Sequence, residues 1–113
     1  MDVDVIGVPT DDGGRMRADA LESSLADRAG EGLFAAVATA GTTNLGVIDD
    51  LAGIADVCAR RGIWFHVDAA YGGAALAAPS VRDRFAGIVR SRRNGSPSSW
   101  LRITSMKVVT RFF

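Results

Sequence analysis

The sequence predicts an α/β protein built on a parallel β-sheet. Apolar runs of strand length alternate with segments of helical periodicity, in the order strand, helix, strand, helix, strand. The two clearest strands are residues 33–40 and 63–68, which are almost entirely apolar, aromatic or small, apart from a histidine and a terminal aspartate. Such runs are typical of strands that are buried on both faces of a sheet.

The remaining elements follow from periodicity and capping residues. Valines alternate with aspartates near the N-terminus, which predicts a short first strand. A helix is expected over residues 19–28, with Asp19 as its N-cap. Residues 81–90 predict another helix, with Ser80 as its cap.

The clearest helix is predicted over residues 48–61. Aspartates lie at its start and arginines at its end, where each charge favours the helix dipole, and Gly62 follows. Its apolar stripe consists of Leu51, Ile54, Ala55 and Cys58. Because Cys58 lies on this stripe, we interpret it as a core residue and not as a nucleophile.

The composition restricts the possible functions. The 113 residues, 48% of them hydrophobic, are enough for one domain with a real core. The net charge is zero, so no basic surface for nucleic acid is expected, and no apolar run is long enough to suggest a membrane span. A single cysteine excludes an internal disulfide and is typical of a reducing compartment, which favours a cytoplasmic protein.

The leading candidate for a functional site is a carboxylate at a strand end. Asp68 closes the apolar run at 63–68 and precedes Ala69, Ala70 and a Gly-Gly pair. Open α/β sheets bind ligands just beyond the carboxyl ends of their strands, and an ionised Asp there requires a compensating partner. The small alanines would let a flat ligand approach the backbone. The residue pattern alone also allows Asp68 to be a cap of the following turn.

Two motifs carry a resemblance to a known family. Residues 66–73, His-Val-Asp-Ala-Ala-Tyr-Gly-Gly, are similar to the signature of the pyridoxal-phosphate-dependent group II decarboxylases, related to aromatic-L-amino-acid, glutamate and histidine decarboxylases. Upstream, Thr-Ala-Gly-Thr-Thr at 39–43 and Val-Ile-Asp at 47–49 have the family's order and spacing. The resemblance implies a partial parallel sheet from the large domain of an aspartate-aminotransferase-like (fold type I) enzyme, whose intact parent is a homodimer.

The resemblance also implies a pyridoxal 5'-phosphate site and an amino-acid substrate. Asp68 would pair with the protonated pyridine nitrogen, so that the ring accepts the electrons left when carbon dioxide departs. Thr43 would lie beside the cofactor, and Ala70 would form part of the wall. His66 shares a strand face with Asp68, and we expect it to be buried and hydrogen-bonded in support of that carboxylate. A lone His is a poor metal ligand, so no metal is expected.

The resemblance covers residues 3–88 and ends before the family's Schiff-base lysine. In the family that lysine follows Pro-His at the end of the next strand, about 30 residues beyond the Asp. Here residues 90–99 are polar, and Lys107 comes several residues too late to be assigned that role. We therefore interpret residues 1–88 as a fragment of a cofactor-binding domain, inactive by itself. Residues 89–113 are a divergent tail, either read out of frame, in which case the sheet would lose its next strand, or a genuine polar extension.

Two other functional classes remain open on the sequence alone. A cofactor-binding α/β module without lyase chemistry would be expected to carry Gly-x-Gly-x-x-Gly after its first strand, and this motif is absent. Another fold type I enzyme, an aminotransferase or desulfurase, also uses a strand-end Asp. The Ala-Tyr-Gly-Gly and Thr-Ala-Gly-Thr-Thr segments favour a decarboxylase, a carboxy-lyase of amino acid metabolism.

Overall fold

A parallel four-stranded sheet with helices on one side forms the protein. The computed structural model describes residues 3–28, 32–88 and 106–111. Its elements are β1 (Val3–Val8), α1 (Ala18–Ser24), β2 (Leu33–Thr39), α2 (Leu51–Arg61), β3 (Trp64–Asp68), two 3₁₀ turns (Gly73–Ala77 and Arg82–Phe85) and β4 (Met106–Arg111). The strand order is β1-β4-β2-β3, with every neighbouring pair parallel. The expected α/β class with a parallel sheet is confirmed.

Strand β4 lies between β1 and β2 and pairs with both. Its Val108 lies beside Val5 of β1 and beside Ala35 of β2. The sequence pattern does not indicate a strand at Met106–Arg111, and the polar segment over residues 90–99 lies outside the described residues. In the described part of the chain no strand pairs with the outer edge of β3. The last strand thus joins β1 to the rest of the sheet and does not extend the sheet beyond β3.

The hydrophobic core lies between one face of the sheet and helices α1 and α2. Alternate residues of the strands point to this face, because successive side chains of a strand project to opposite sides. The buried members include, from the strands and the residues that follow them, Val8, Ala36, Ala38, Ala40 and Phe65, and, from the helices and their ends, Leu21, Leu25, Leu51, Ile54, Ala55, Val57 and Cys58; Met16, before α1, is also buried. The buried position of Cys58 agrees with its interpretation as a core residue.

The opposite face of the sheet is open to solvent over much of its described area. Val3 and Val5 are 48% and 64% exposed, and His66 and Asp68 are also exposed. The expectation that the central strands are buried on both faces is therefore wrong for β3. Its Phe65 faces the helices, whereas its next residue faces water. The apolar run indicated a strand correctly but not how many of its faces are covered.

Helix α2 is fixed at both ends by local interactions. Asp50 is the N-cap, and its side chain accepts a hydrogen bond from Gly53 N at 3.1 Å. Gly62 ends the helix with a left-handed φ of +65°, a conformation that costs glycine little. The helix therefore begins three residues later than the sequence predicted, because Asp49 is used elsewhere.

Two other helix predictions are corrected by the structure. Helix α1 ends at Ser24, and its N-cap is Arg17; Asp19 lies in the first turn, where it accepts a hydrogen bond from Ala20 N at 2.9 Å. The helix expected over residues 81–90 is a single 3₁₀ turn at Arg82–Phe85, and Ser80 does not cap it. Residues 89 and 90 lie outside the described part of the chain. In both places the periodic pattern was too short to fix a full helix.

Charged contacts join the two helices at their C-terminal ends. Arg60 Nη2 lies 2.6 Å from Glu22 Oε2, and the side-chain hydrogen bond from this guanidinium lowers the pKa of Glu22. Arg61 donates to Leu25 O at 3.1 Å and so satisfies a carbonyl just beyond α1. Among the described residues, no helix has the length and apolar character needed to cross a bilayer.

Candidate functional site at the carboxyl ends of β2 and β3

The candidate site forms where β2 and β3 end side by side. Thr39, the last residue of β2, lies in register with Asp68, the last residue of β3. Ala40 N donates to Asp68 O at 2.7 Å and extends the pairing by one residue. Because the strands are parallel, the loops that follow them leave the sheet at the same edge, the usual position of ligands in open α/β sheets.

One carboxylate oxygen of Asp68 is hydrogen-bonded within the chain, and the other is able to bind a ligand. Its Oδ1 accepts a hydrogen bond from Ala70 N at 3.1 Å, so the carboxylate caps the turn that follows β3. Within the described residues Oδ2 has no partner, and the side chain is exposed. The cap and the ligand interpretations are therefore compatible, since one oxygen holds the turn and the other remains able to accept from a cation.

His66 differs from the expectation of a buried, hydrogen-bonded residue. It lies on the same face of β3 as Asp68, but this face is open, and the imidazole is exposed. Its nearest aromatic neighbour is Trp64, whose ring centroid lies 6.4 Å away in an edge-to-face arrangement. The prediction that it is buried is wrong, because nothing in the described chain covers this side of β3. As expected, His66 lies on the same face of β3 as Asp68, two residues before it.

The loops after β2 and β3 pack backbone against backbone. Gly41 adopts a φ of +103°, and a Cβ atom on Gly72 would lie 2.8 Å from the carbonyl carbon of Ala40. Only glycines allow this approach, because any side chain at Gly72 would overlap the β2 backbone. The contact brings the Thr42–Thr43 segment next to Tyr71.

The loop after β2 is closed by its own hydrogen bonds. Gly41 N and Thr42 N both donate to Val47 O at 3.0 Å, and Thr42 Oγ1 accepts from Val47 N at 3.0 Å. The side chain of Thr42 is thereby committed to the loop. Thr43 is exposed, and its hydroxyl makes no hydrogen bond within the described residues. Of the two adjacent threonines, Thr43 is therefore the one available to a ligand.

A cavity of about 360 Å³ lies between these two loops and the 3₁₀ turn at Arg82–Phe85. Its wall includes Thr42, Thr43, Tyr71 and Gly72, so the structure brings Thr43 together with the loop that follows Asp68. Asp68 is not part of the wall, and its side chain points to the open face of the sheet. That Asp68 and Thr43 face one ligand stays a prediction.

Asp49 is a residue whose role sequence reasoning missed. It was interpreted as an acidic residue at a helix N-terminus, but its side chain is buried, 3% exposed, and contacts backbone amides of two other segments. The one signal in the sequence was its place in the Val-Ile-Asp part of the family motif. Among the described residues, no three His, Cys, Asp or Glu side chains are grouped as a metal site would require.

Comparison with known proteins identifies the family. The family model described as the pyridoxal-dependent decarboxylase conserved domain matches residues 1–105, a longer range than residues 3–88, over which the sequence motifs carry the resemblance. The chain is 54% identical over 74 residues to an L-2,4-diaminobutyrate decarboxylase of Rhizobium meliloti, covering 64% of this chain and 15% of that protein. It is 48% identical over 86 residues to the cysteine sulfinic acid decarboxylase of Mus musculus, covering 74% and 17%.

A solved structure agrees with the sequence comparison. The crystal structure of mouse CSAD in apo form superposes with a TM-score of 0.69 at 46% identity, over 74% of this chain and 18% of that one. The chain thus spans less than a fifth of the length of these relatives. The fold, the two motifs at the strand ends and the match over most of the sequence agree, and the chain therefore belongs to the pyridoxal-dependent decarboxylase family.

Proposed function

We propose that this chain is part of a pyridoxal-phosphate-dependent enzyme that decarboxylates an amino acid, with Asp68 as the partner of the cofactor's pyridine nitrogen. The observation that carries the proposal is the state of the Asp68 carboxylate. It lies at the carboxyl end of β3, one oxygen fixed by Ala70 N at 3.1 Å and the other without a partner in the described chain. A half-satisfied carboxylate at this edge is suited to a cationic ligand.

The residues around Asp68 fit a flat, positively charged ring. Ala69 and Ala70 are small, so a planar group can approach the backbone beside the carboxylate. Asp68 would hold the proton on the pyridine nitrogen, since an adjacent negative charge favours the protonated form. When bound, the cofactor supplies a ring that accepts the electron pair left by the departing carboxylate.

The other proposed residues shape the site. His66 shares the open face of β3 with Asp68 and would limit the position of the ring from that side. Thr43 has an uncommitted hydroxyl on the neighbouring loop and would donate to, or accept from, an oxygen of the bound group. Ala70 would form part of the wall, while its backbone N–H keeps the Asp68 carboxylate in place.

The proposal extends to the whole enzyme. Relatives named as decarboxylases of diaminobutyrate, cysteine sulfinate and glutamate support an amino-acid substrate. We also propose a cytoplasmic, homodimeric parent; the single cysteine, buried and without a disulfide partner, supports a reducing compartment. The 113-residue chain alone is expected to be inactive, because it covers less than a fifth of its relatives.

A chimera tests the proposal. The segment of mouse cysteine sulfinic acid decarboxylase that aligns with this chain over 86 residues is replaced by the residues of this chain, and carbon dioxide release is measured. We expect an active chimera in which Asp68→Asn lowers kcat by roughly 100-fold or more, the effect of removing one preorganised electrostatic partner. The asparagine keeps an oxygen for Ala70 N, so the turn is preserved.

The control is Asp12→Asn, the same carboxylate-to-amide change at an exposed position in the turn after β1. It should leave kcat within twofold, roughly the scatter expected of a surface substitution. Equal activity of the Asp68→Asn and Asp12→Asn chimeras would refute the assignment of Asp68. Formation of a 2-oxo acid without carbon dioxide release would favour an aminotransferase instead.

A further inference from the structure

We infer that Asp49 is a positioning residue of the cofactor site: its buried carboxylate fixes the end of β2, and with it the Thr43 loop, against Asp68. The link between Asp49 and the cofactor rests on the proposed function, whereas the contacts of Asp49 with the backbone are observed in the structure. Asp49 lies ten residues after Thr39, at the far end of the loop that carries Thr43. The N-cap of the helix that follows is Asp50 and not Asp49.

The Asp49 carboxylate joins three segments that are distant in sequence. Its Oδ2 accepts from Thr39 N at 2.8 Å, and its Oδ1 accepts from Met16 N at 2.8 Å. Its own backbone N–H donates to Thr39 O at 3.0 Å. Asp49 therefore holds Thr39 through both the amide and the carbonyl and attaches the segment before α1 to the same point.

Burial makes these contacts strong. A carboxylate that is 3% exposed loses most of its hydration, so its charge must be compensated by hydrogen bonds from the protein. Backbone N–H groups that donate to an ionised oxygen form shorter and stronger bonds than neutral pairs.

The clamp sets the position of the cofactor-site loop. Thr39 lies in register with Asp68, and the loop that begins after it returns to Asp49 through the bridge between Ala40 and Ile48. With both ends held at Asp49, the intervening threonines are fixed relative to β3. Release of Thr39 N would leave the end of β2 paired with β3, through contacts such as the hydrogen bond from Ala40 N to Asp68 O, but would loosen the loop that carries Thr43.

Hydrogen exchange of the intact 113-residue chain tests the clamp directly. Asp49→Asn keeps the size of the side chain but has one acceptor oxygen, so one of the two backbone donors loses its partner. The amides from Thr39 to Val47 should exchange about 10- to 100-fold faster than in the original chain. The control is Asp50→Asn, an adjacent carboxylate that also accepts from two backbone amides, Gly53 N and Ala18 N, but does not contact β2.

The second arm measures cofactor binding in the chimera described above, well below its unfolding temperature. Asp49→Asn should raise the dissociation constant of pyridoxal phosphate at least about tenfold, whereas Asp50→Asn should leave it within about twofold. Both substitutions remove an acceptor for a backbone amide, so a general loss of stability would affect the two variants alike. Equal exchange in residues 39–47, or equal cofactor affinity, in the two variants overturns the inference. An unmutated chimera that binds no cofactor, together with selective exchange in Asp49→Asn, refutes the proposed function and leaves the clamp as a structural device.

Discussion

Replacing Gly72 by Ala should separate the ends of β2 and β3. The backbone of Gly72 has an ordinary right-handed conformation, φ −85° and ψ −14°, so alanine meets no dihedral strain. The added Cβ, however, would lie 2.8 Å from Ala40 C and 3.0 Å from Gly41 Cα, and closer still to Ala40 O. All three are backbone atoms, so no side chain can rotate to relieve the overlap.

The loss of stability in Gly72→Ala can be estimated from how far the two loops must move apart. Relaxed carbon–carbon contacts lie at about 3.5–4.0 Å, so the two loops must separate by about 1 Å. Such overpacking costs about 1–3 kcal/mol, and loss of the 2.7 Å hydrogen bond from Ala40 N to Asp68 O adds about 1 kcal/mol. We therefore expect Gly72→Ala to lower the free energy of unfolding by about 2–4 kcal/mol, equivalent to a fall in Tm of about 10 °C or more.

The assay is urea or thermal unfolding followed by circular dichroism, with Gly73→Ala as the matched control. At Gly73 the nearest atom to an added Cβ is Ala69 Cβ at 3.4 Å, an ordinary contact, so stability should change by less than about 0.5 kcal/mol. The same residue type is thus changed in the same way one position apart. If the two variants have equal midpoints, the backbone contact between the loops does not constrain the fold.

Two further predictions concern the cysteine and the lysine. Burial raises the pKa of the Cys58 thiol to about 12, so at pH 8 its thiolate should be about 1,000-fold scarcer than that of a thiol with a pKa of 9.0. A chromogenic disulfide reagent should therefore react with Cys58 only when the chain unfolds. The free energy of unfolding should fall as the pH rises above 9.0, because the thiol loses its proton first in the unfolded chain. Rapid labelling of the folded chain would contradict this. Lys107 should form no stoichiometric, borohydride-trappable adduct with pyridoxal phosphate, because its backbone lies beside Leu33 at the start of β2, about 20 Å along the strands from Asp68 at their end. A labelled tryptic peptide containing residue 107 at full occupancy would refute that expectation.

The sequence predicted the elements that are encoded locally. The apolar run before Asp68 identified β3 and placed the carboxylate at its end, because strand ends and small residues leave a clear local pattern. The end of α2 was equally clear, since arginines followed by a left-handed Gly62 are a strong stop signal. These features depend on residues within a few positions of each other.

The features that were missed depend on distant partners. Asp49 contacts Met16, 33 residues away in the chain, so no local pattern shows that it leaves its helix to join other segments. The exposure of His66 depends on what covers the sheet, and a strand's composition does not say whether its second face has a partner. The position of β4 likewise depends on β1, at the opposite end of the chain.

The placement of β4 has a consequence for the order in which the sheet can form. Strand β1 pairs with β4, and the partners Val3 and Met106 are distant in the sequence. Strands β2 and β3 lie much closer together in the sequence and can pair earlier. Parallel pairing between distant segments is slow because a large loop must close first. The joining of β1 to β4 is thus a late step of folding, and the exposed valines of β1 are accessible to chaperones until it occurs.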